Sequence, residues 1–149
     1  MSSLKQLILV ATVEEKKMQN CATQFRLASA HLQENQQKLS GLERYRLDYL
    51  HTIRQKAKQG VNAQSMNQHH QFVGKLDKAC EQQINIINNA VLVVDQRKRQ
   101  WLGQQQKHRA ILHLIASKQN VIKLKEAKQE QKMFDEFALQ QSVRKPTYL

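Results

Sequence analysis

Glycine and proline are scarce in this 149-residue chain: four glycines, at 41, 60, 74 and 103, and a single proline, Pro146. A compact globular domain needs many tight turns, and turns draw on those two residues. Their shortage therefore argues against a ball-shaped fold. The glycines are also isolated from one another, so no glycine-rich loop can cradle phosphates. Aromatic residues make up only 5 % of the chain. The longest apolar runs, Leu7 to Ala11 and Ala90 to Val94, fall far short of the roughly 20 residues that span a bilayer. Lys5 before an apolar patch weakly imitates a secretion signal, but Glu14-Glu15-Lys16-Lys17 stands where a small-residue cleavage site belongs. The expected location is cytoplasmic.

Site chemistry is equally thin. The two cysteines, Cys21 and Cys80, form no Cys-x-x-Cys pair. The histidines (31, 51, 69, 70, 108 and 113) include no i, i+4 pair around a glutamate, so no zinc-type ligand set is expected. No nucleophile has a base that sequence alone places beside it. The expectation is a non-catalytic protein without metal or cofactor.

What the chain does have is a beat of seven. Apolar residues recur at Leu4, Ala11, Met18, Phe25, Leu32, Leu39 and Ile53, then at Met66, Val73, Cys80, Ile87, Val94, Trp101, Ile115 and Ile122. A second set in the first run, three residues on, holds Leu7, Cys21, Ala28, Leu42 and Tyr49. Two heptad runs separated by Gly60 predict an all-α fold, a two-helix antiparallel coiled-coil hairpin. Helix one is expected over 3–58, the turn over 59–64 with Gly60 as a positive-φ stop, and helix two over 65–141. Asn62 or Ser65 suits the cap of the second helix. Glu14, Asn35, Arg46 and Lys56 interrupt the seam, the kind of polar intrusion that costs stability and fixes register.

A hairpin folded at Gly60 pairs residues whose numbers add to about 121. Three consequences follow. Cys21 and Cys80 are offset by about 30 Å along the helices, too far for a disulfide. Helix two outruns its partner from about residue 118, leaving a C-terminal helix overhang of basic character that is only marginally stable alone in water, and a tail at 142–149. And near the turn, Leu42, Tyr45 and Tyr49 face Phe72, Leu76 and Ala79, flanked by Lys38 and Gln83. That patch is either a widened core or a partly exposed binding surface.

At the open end, Leu7 to Val13 is apolar almost all round its helix, and so is the region opposite, with Ile111, Leu112, Leu114 and Ile115. Two helices cannot bury such surface alone. The end is expected to sit inside something else, a four-helix bundle of two copies being the plain alternative. Lysine and arginine number 24 against 12 acidic residues, a formal net charge of +12. This suits nucleic acid, an anionic surface or an acidic protein cavity. The competing class is a nucleic-acid-binding coiled coil, which gains from this charge and loses because the basic residues form no concentrated recognition block; a generic structural coiled coil is the third.

The segment Tyr45-Arg46-Leu47-Asp48-Tyr49 before a glycine turn, then Gln71-Phe72 with Leu76, resembles the flagellar export protein FliJ family. So does Lys132-Met133-Phe134-Asp135-Glu136-Phe137-Ala138 followed by Arg144-Lys145-Pro146, although Phe134 is an extra residue in the Met-Asp-Glu-Phe pattern and turns the helix face by about 100°. The resemblance implies a central stalk of the flagellar type III export apparatus, similar to the coiled-coil rotor of rotary ATP synthases. Its partners would be a hexameric export ATPase, a membrane export gate protein and export chaperones, with peripheral association at the inner membrane. It further implies a gate-binding patch of Leu42, Tyr45, Tyr49, Phe72, Leu76 and Ala79. The ATPase-binding end would hold Leu4, Leu7, Ile8, Ala11, Ile111, Leu114, Ile115, Ile122, Lys123 and Lys125.

Overall fold

A computed structural model describes residues 2–144, with Met1 and residues 145–149 outside that range. The chain forms two helices, α1 (Ser2–Gln59) and α2 (Ala63–Arg144), packed against each other as an antiparallel coiled-coil hairpin. No helix among the described residues is long and apolar enough to cross a membrane. Lys145, Pro146 and most of the expected tail lie outside the described residues. Residues 142–144 continue α2.

The connection is Gly60 to Asn62 alone, shorter than the stretch 59–64 that the sequence suggests. Two local devices account for this. Gly60 takes a φ of 88°, a left-handed conformation open to glycine at no steric cost, and its N–H returns to the Ala57 carbonyl at 3.3 Å. Asn62 then caps α2, its Oδ1 accepting the Ser65 N–H at 2.8 Å. Of the two candidate caps, Asn62 wins because its side chain reaches the third helical N–H while Ser65 already lies inside the helix. Val61 and Met66, both half-buried, occupy the spacing of a hydrophobic staple.

Residues that are not fully exposed fall on a heptad. In α1 they include Leu4, Ala11, Met18, Phe25, Leu32, Leu39, Arg46 and Ile53 at one seam position, here a, and Leu7, Glu14, Cys21, Ala28, Asn35, Leu42 and Tyr49 at the other, d. In α2, a runs from Met66 through Ile122 in steps of seven and d from His69 through Ile111. The core is thin. Ala11, Ile53, Leu76 and Ala90 are its buried apolar residues, and no side chain among the described residues is completely enclosed. Stability must therefore come from many half-buried contacts summed along the seam, not from a few deep ones.

The paired helices fall into two compact units. One comprises residues up to Lys17 with Gln104 onward; the other comprises Met18–Gly103. In the second unit, Phe25 stacks on Trp101 with ring centroids 5.7 Å apart. Cys21 and Cys80 are both free and half-buried on its seam.

Candidate functional site

The polar seam residues are where the register is specified. In the central unit, Gln83 is buried and its Nε2 donates to both the Asn35 carbonyl and Asn35 Oδ1, each at 2.9 Å. Asn35 Nδ2 in turn donates to the His31 carbonyl at 2.8 Å. Arg46 Nε donates to Asp77 Oδ1 at 2.5 Å. In the terminal unit, Glu14 accepts from Gln104 Nε2 and pairs with Lys17 at 3.4 Å. The Gln104 hydrogen bond, with Lys17 and Lys107 nearby, holds the Glu14 carboxyl below its usual range despite the opposing effect of burial. Three of the four polar interruptions thus meet a cross-helix polar partner; Lys56 is exposed near the turn. Among the described residues no buried side-chain polar atom lacks a partner, so these layers cost little and still penalise a slipped register.

The turn-proximal patch lies in the central unit. Phe72 sits between two tyrosines: its ring is 4.6 Å from Tyr49 and 6.3 Å from Tyr45 in an edge-on arrangement. Leu76 is buried, and Leu42, Tyr49, Phe72 and Ala79 are half-buried. Tyr45 is 53 % exposed. The three rings therefore form one cluster, open to solvent at Tyr45, on the stretch of the hairpin that buries Leu76. Its chemistry suits docking of an apolar side chain against Tyr45 and Phe72, with the tyrosine hydroxyls marking the polar border. Sequence reasoning missed His69, whose Nδ1 is hydrogen-bonded to the Tyr49 hydroxyl at 2.6 Å. The signal was there: His69 is three residues after Met66, a seam position. Gln83, expected as a flank of the patch opposite Lys38, instead points into the seam and bonds Asn35, while Lys38 is exposed. A pairing about three residues away from the mirror value accounts for the exchange.

The open end belongs to the terminal unit. Ala11 is buried, and Leu4, Leu7, Ile111, Ile115 and Ile122 are half-buried. Around them stand exposed apolar side chains: Ile8, Leu9, Val10 and Val13 on α1, Leu112 and Leu114 on α2. Leu9 is 67 % exposed. Helical pairing persists to Ile122, which with Gln119, Lys123 and Glu126 lines a shallow hollow against Leu4. Val121, Lys118 and Lys125 border the adjoining hollow, and Lys118 Nζ donates to the Ser3 hydroxyl at 3.1 Å. Lys123 and Lys125 are exposed. Every described residue from Lys123 to Arg144 is exposed, including Met133, Phe134, Phe137 and Leu139. From Lys123 to Arg144 the chain carries five cations against four carboxylates, so this part is nearly balanced in charge. The excess positive charge lies between Lys107 and Lys132, with seven cations against two carboxylates.

Neither curated proteins nor solved structures provide a match to this chain. A family comparison does: residues 3–147, nearly the whole length, match the family described as flagellar FliJ protein. The match embraces both the aromatic cluster beside Gly60 and the exposed apolar end, and with the two-helix fold it supports a role related to flagellar export. The chain belongs to the flagellar FliJ protein family.

Proposed function

We propose that this chain is a non-catalytic central stalk of the flagellar type III export apparatus. Its terminal end inserts in the ring of the hexameric export ATPase and promotes hydrolysis there. Its turn end engages the cytoplasmic part of the membrane export gate, and export chaperones use the same stalk. The protein is then cytoplasmic and peripheral to the inner membrane through its partners.

The observation that carries this reading is the ring of exposed aliphatic side chains at the terminal end, Ile8, Leu9, Val10, Val13, Leu112 and Leu114. Contiguous apolar surface of this kind marks a protein interaction site. The seam residues Leu4, Leu7, Ala11, Ile111, Ile115 and Ile122 hold the two helices together beneath it, so the ring is presented by a rigid base. Lys107 to Lys132 supplies positive charge next to it, which suits an acidic pore lining. A stalk seated off-centre among six subunits meets them unequally. If it contacts one nucleotide state better than another, that difference shifts the populations of the states. At the other end, the exposed Tyr45 edge with Phe72 gives the gate an aromatic anchor.

The test is binding of the full chain to the purified export ATPase over a salt series. Leu9→Gln with Leu114→Gln should weaken binding about tenfold or more, and affinity should fall with added salt. Undiminished binding by that variant rejects the insertion reading; salt-independent affinity rejects the electrostatic part. The net charge of +12 supports one other class, a nucleic-acid-binding coiled coil, and a shifted band with duplex or single-stranded nucleic acid at physiological salt would favour it.

A further inference from the structure

The aromatic cluster at Phe72 is the first step of a longer stripe. Phe72, Ala79, Ile86 and Val93 recur every seven residues on α2, immediately beside the seam. They line one edge of the helix pair over three heptads, about 30 Å. The structure leaves the far half of that stripe open: Ile86 is 45 % and Val93 42 % exposed. Across the seam, Leu27 of α1 is 55 % exposed. It stands on the same edge as Val93 and within about 3 Å of its level along the helices, because Asn35 faces Gln83. The result is an aliphatic patch two heptads beyond the aromatic cluster, formed by residues that the hairpin's own seam does not use.

Charge is sorted about this edge. The α2 positions on its solvent side carry Lys75, Lys78 and Arg99 among glutamines, asparagines and Leu92. Two carboxylates of α2 in this stretch, Asp77 and Glu81, fall on the opposite edge by the same heptad count, and the third, Asp95, is ion-paired with Arg99 at 2.9 Å. Lys75 and Lys78 also border a shallow hollow at Gly74. From α1 the edge receives Lys38 together with Glu34 and Asp48, so the excess stays positive.

We infer that this edge is a docking groove for one amphipathic helix of a partner protein with an acidic flank. The apolar stripe of that helix meets Leu27, Ile86 and Val93, and its carboxylates face Lys38, Lys75 and Lys78. A helix is the matching occupant because anchors repeated every seven residues along a groove between two helices present the same spacing as a third helix's stripe. Acidity follows from the sorted charge, which would repel a basic helix. A second copy of this chain fits poorly, since a two-fold contact would set the basic edge against itself. The inference rests on exposure and charge alone and is independent of the export reading.

The test uses the full chain and two labelled synthetic peptides of about three heptads, both with leucines at the seam spacing. One carries glutamates at the remaining positions, the other lysines. Fluorescence anisotropy should show binding of the glutamate peptide and at least about tenfold weaker binding of the lysine peptide. Ile86→Gln with Val93→Gln should weaken the glutamate peptide about tenfold, with helicity and melting unchanged because both side chains lie outside the seam. Should that variant melt early, Leu27→Gln and Lys75→Glu with Lys78→Glu, all solvent-side substitutions, must produce the loss instead. Equal binding of the two peptides overturns the inference, as does full affinity in these variants. A dimer seen by sedimentation and abolished by Ile86→Gln with Val93→Gln would assign the edge to a second copy and overturn it too.

Discussion

Replacing Gln83 by leucine removes the donor that two oxygens of residue 35 share, the Asn35 carbonyl and Asn35 Oδ1. The carbonyl retains its place in the α1 helix ladder, but Oδ1 is left in a buried site without a donor. Such an orphan costs about 1–3 kcal/mol. The reverse change, Asn35→Leu, is milder. The Gln83 amide still has the backbone carbonyl of residue 35 as acceptor, so only one of its two bonds is lost, worth about 1 kcal/mol. In the double variant both polar groups are gone and an apolar layer replaces them, which is near neutral or stabilising. The two substitutions should therefore couple by about 2–4 kcal/mol in a double-mutant cycle. Urea denaturation followed by circular dichroism reads this directly. With a slope of about 1–3 kcal/mol per molar urea, the Gln83→Leu midpoint should fall by about 0.3–3 M, and the double variant should recover it. Strict additivity, or two neutral single variants, would refute the claim that this layer is a satisfied polar lock.

Other outcomes follow from the same structure. Gly60→Ala places a Cβ at a φ of 88° and should cost about 1–2 kcal/mol, while Asn62→Ala removes the α2 cap and should cost about 1 kcal/mol; both are read as shifts in thermal midpoint. Glu14 has a lowered folded-state pKa, so its contribution is complete above its ordinary value near 4.5 and is lost as pH falls through the lowered value. Melting should thus decline below about pH 4.5 more steeply in the parent than in Glu14→Gln, and identical pH profiles would contradict the Gln104 contact. Tyr45→Ala, at an exposed ring, should leave stability within about 0.5 kcal/mol yet weaken binding to the isolated cytoplasmic part of the export gate. Leu76→Ala, at a buried side chain, should cost about 2–3 kcal/mol and test packing instead.

Much of the fold was legible because the dominant physics is periodic. Apolar residues at a seven-residue spacing, interrupted at Gly60, specify two helices and their shared face. The mirror count then brought Tyr45, Tyr49, Phe72 and Leu76 together, as the rings are arranged. The cross-helix polar partners were not legible. Gln83 and Gln104 resemble solvated glutamines among many others, and only three-dimensional pairing selects them as partners of Asn35 and Glu14. The choice between Asn62 and Ser65 as cap turned on the exact residue at which the helix resumes. The open end was visible as apolar excess in Leu7 to Val13, but which side chains remain uncovered depends on helix rotation, which sets Leu9 outward and Ala11 inward. Ile86 and Val93 escaped notice for a related reason: the adjoining seam residues Ile87 and Val94 make the whole stretch look like core.

The central claim is that this chain acts on the export ATPase through its terminal end. The most direct measurement is the rate of ATP hydrolysis by purified export ATPase as the full chain is added. Hydrolysis should rise saturably with the parent chain and with Tyr45→Ala, whose lesion lies at the turn, and the rise should be lost with Leu9→Gln and Leu114→Gln at the termini. An unchanged rate with the parent chain, or full stimulation by the terminal variant, would contradict the account.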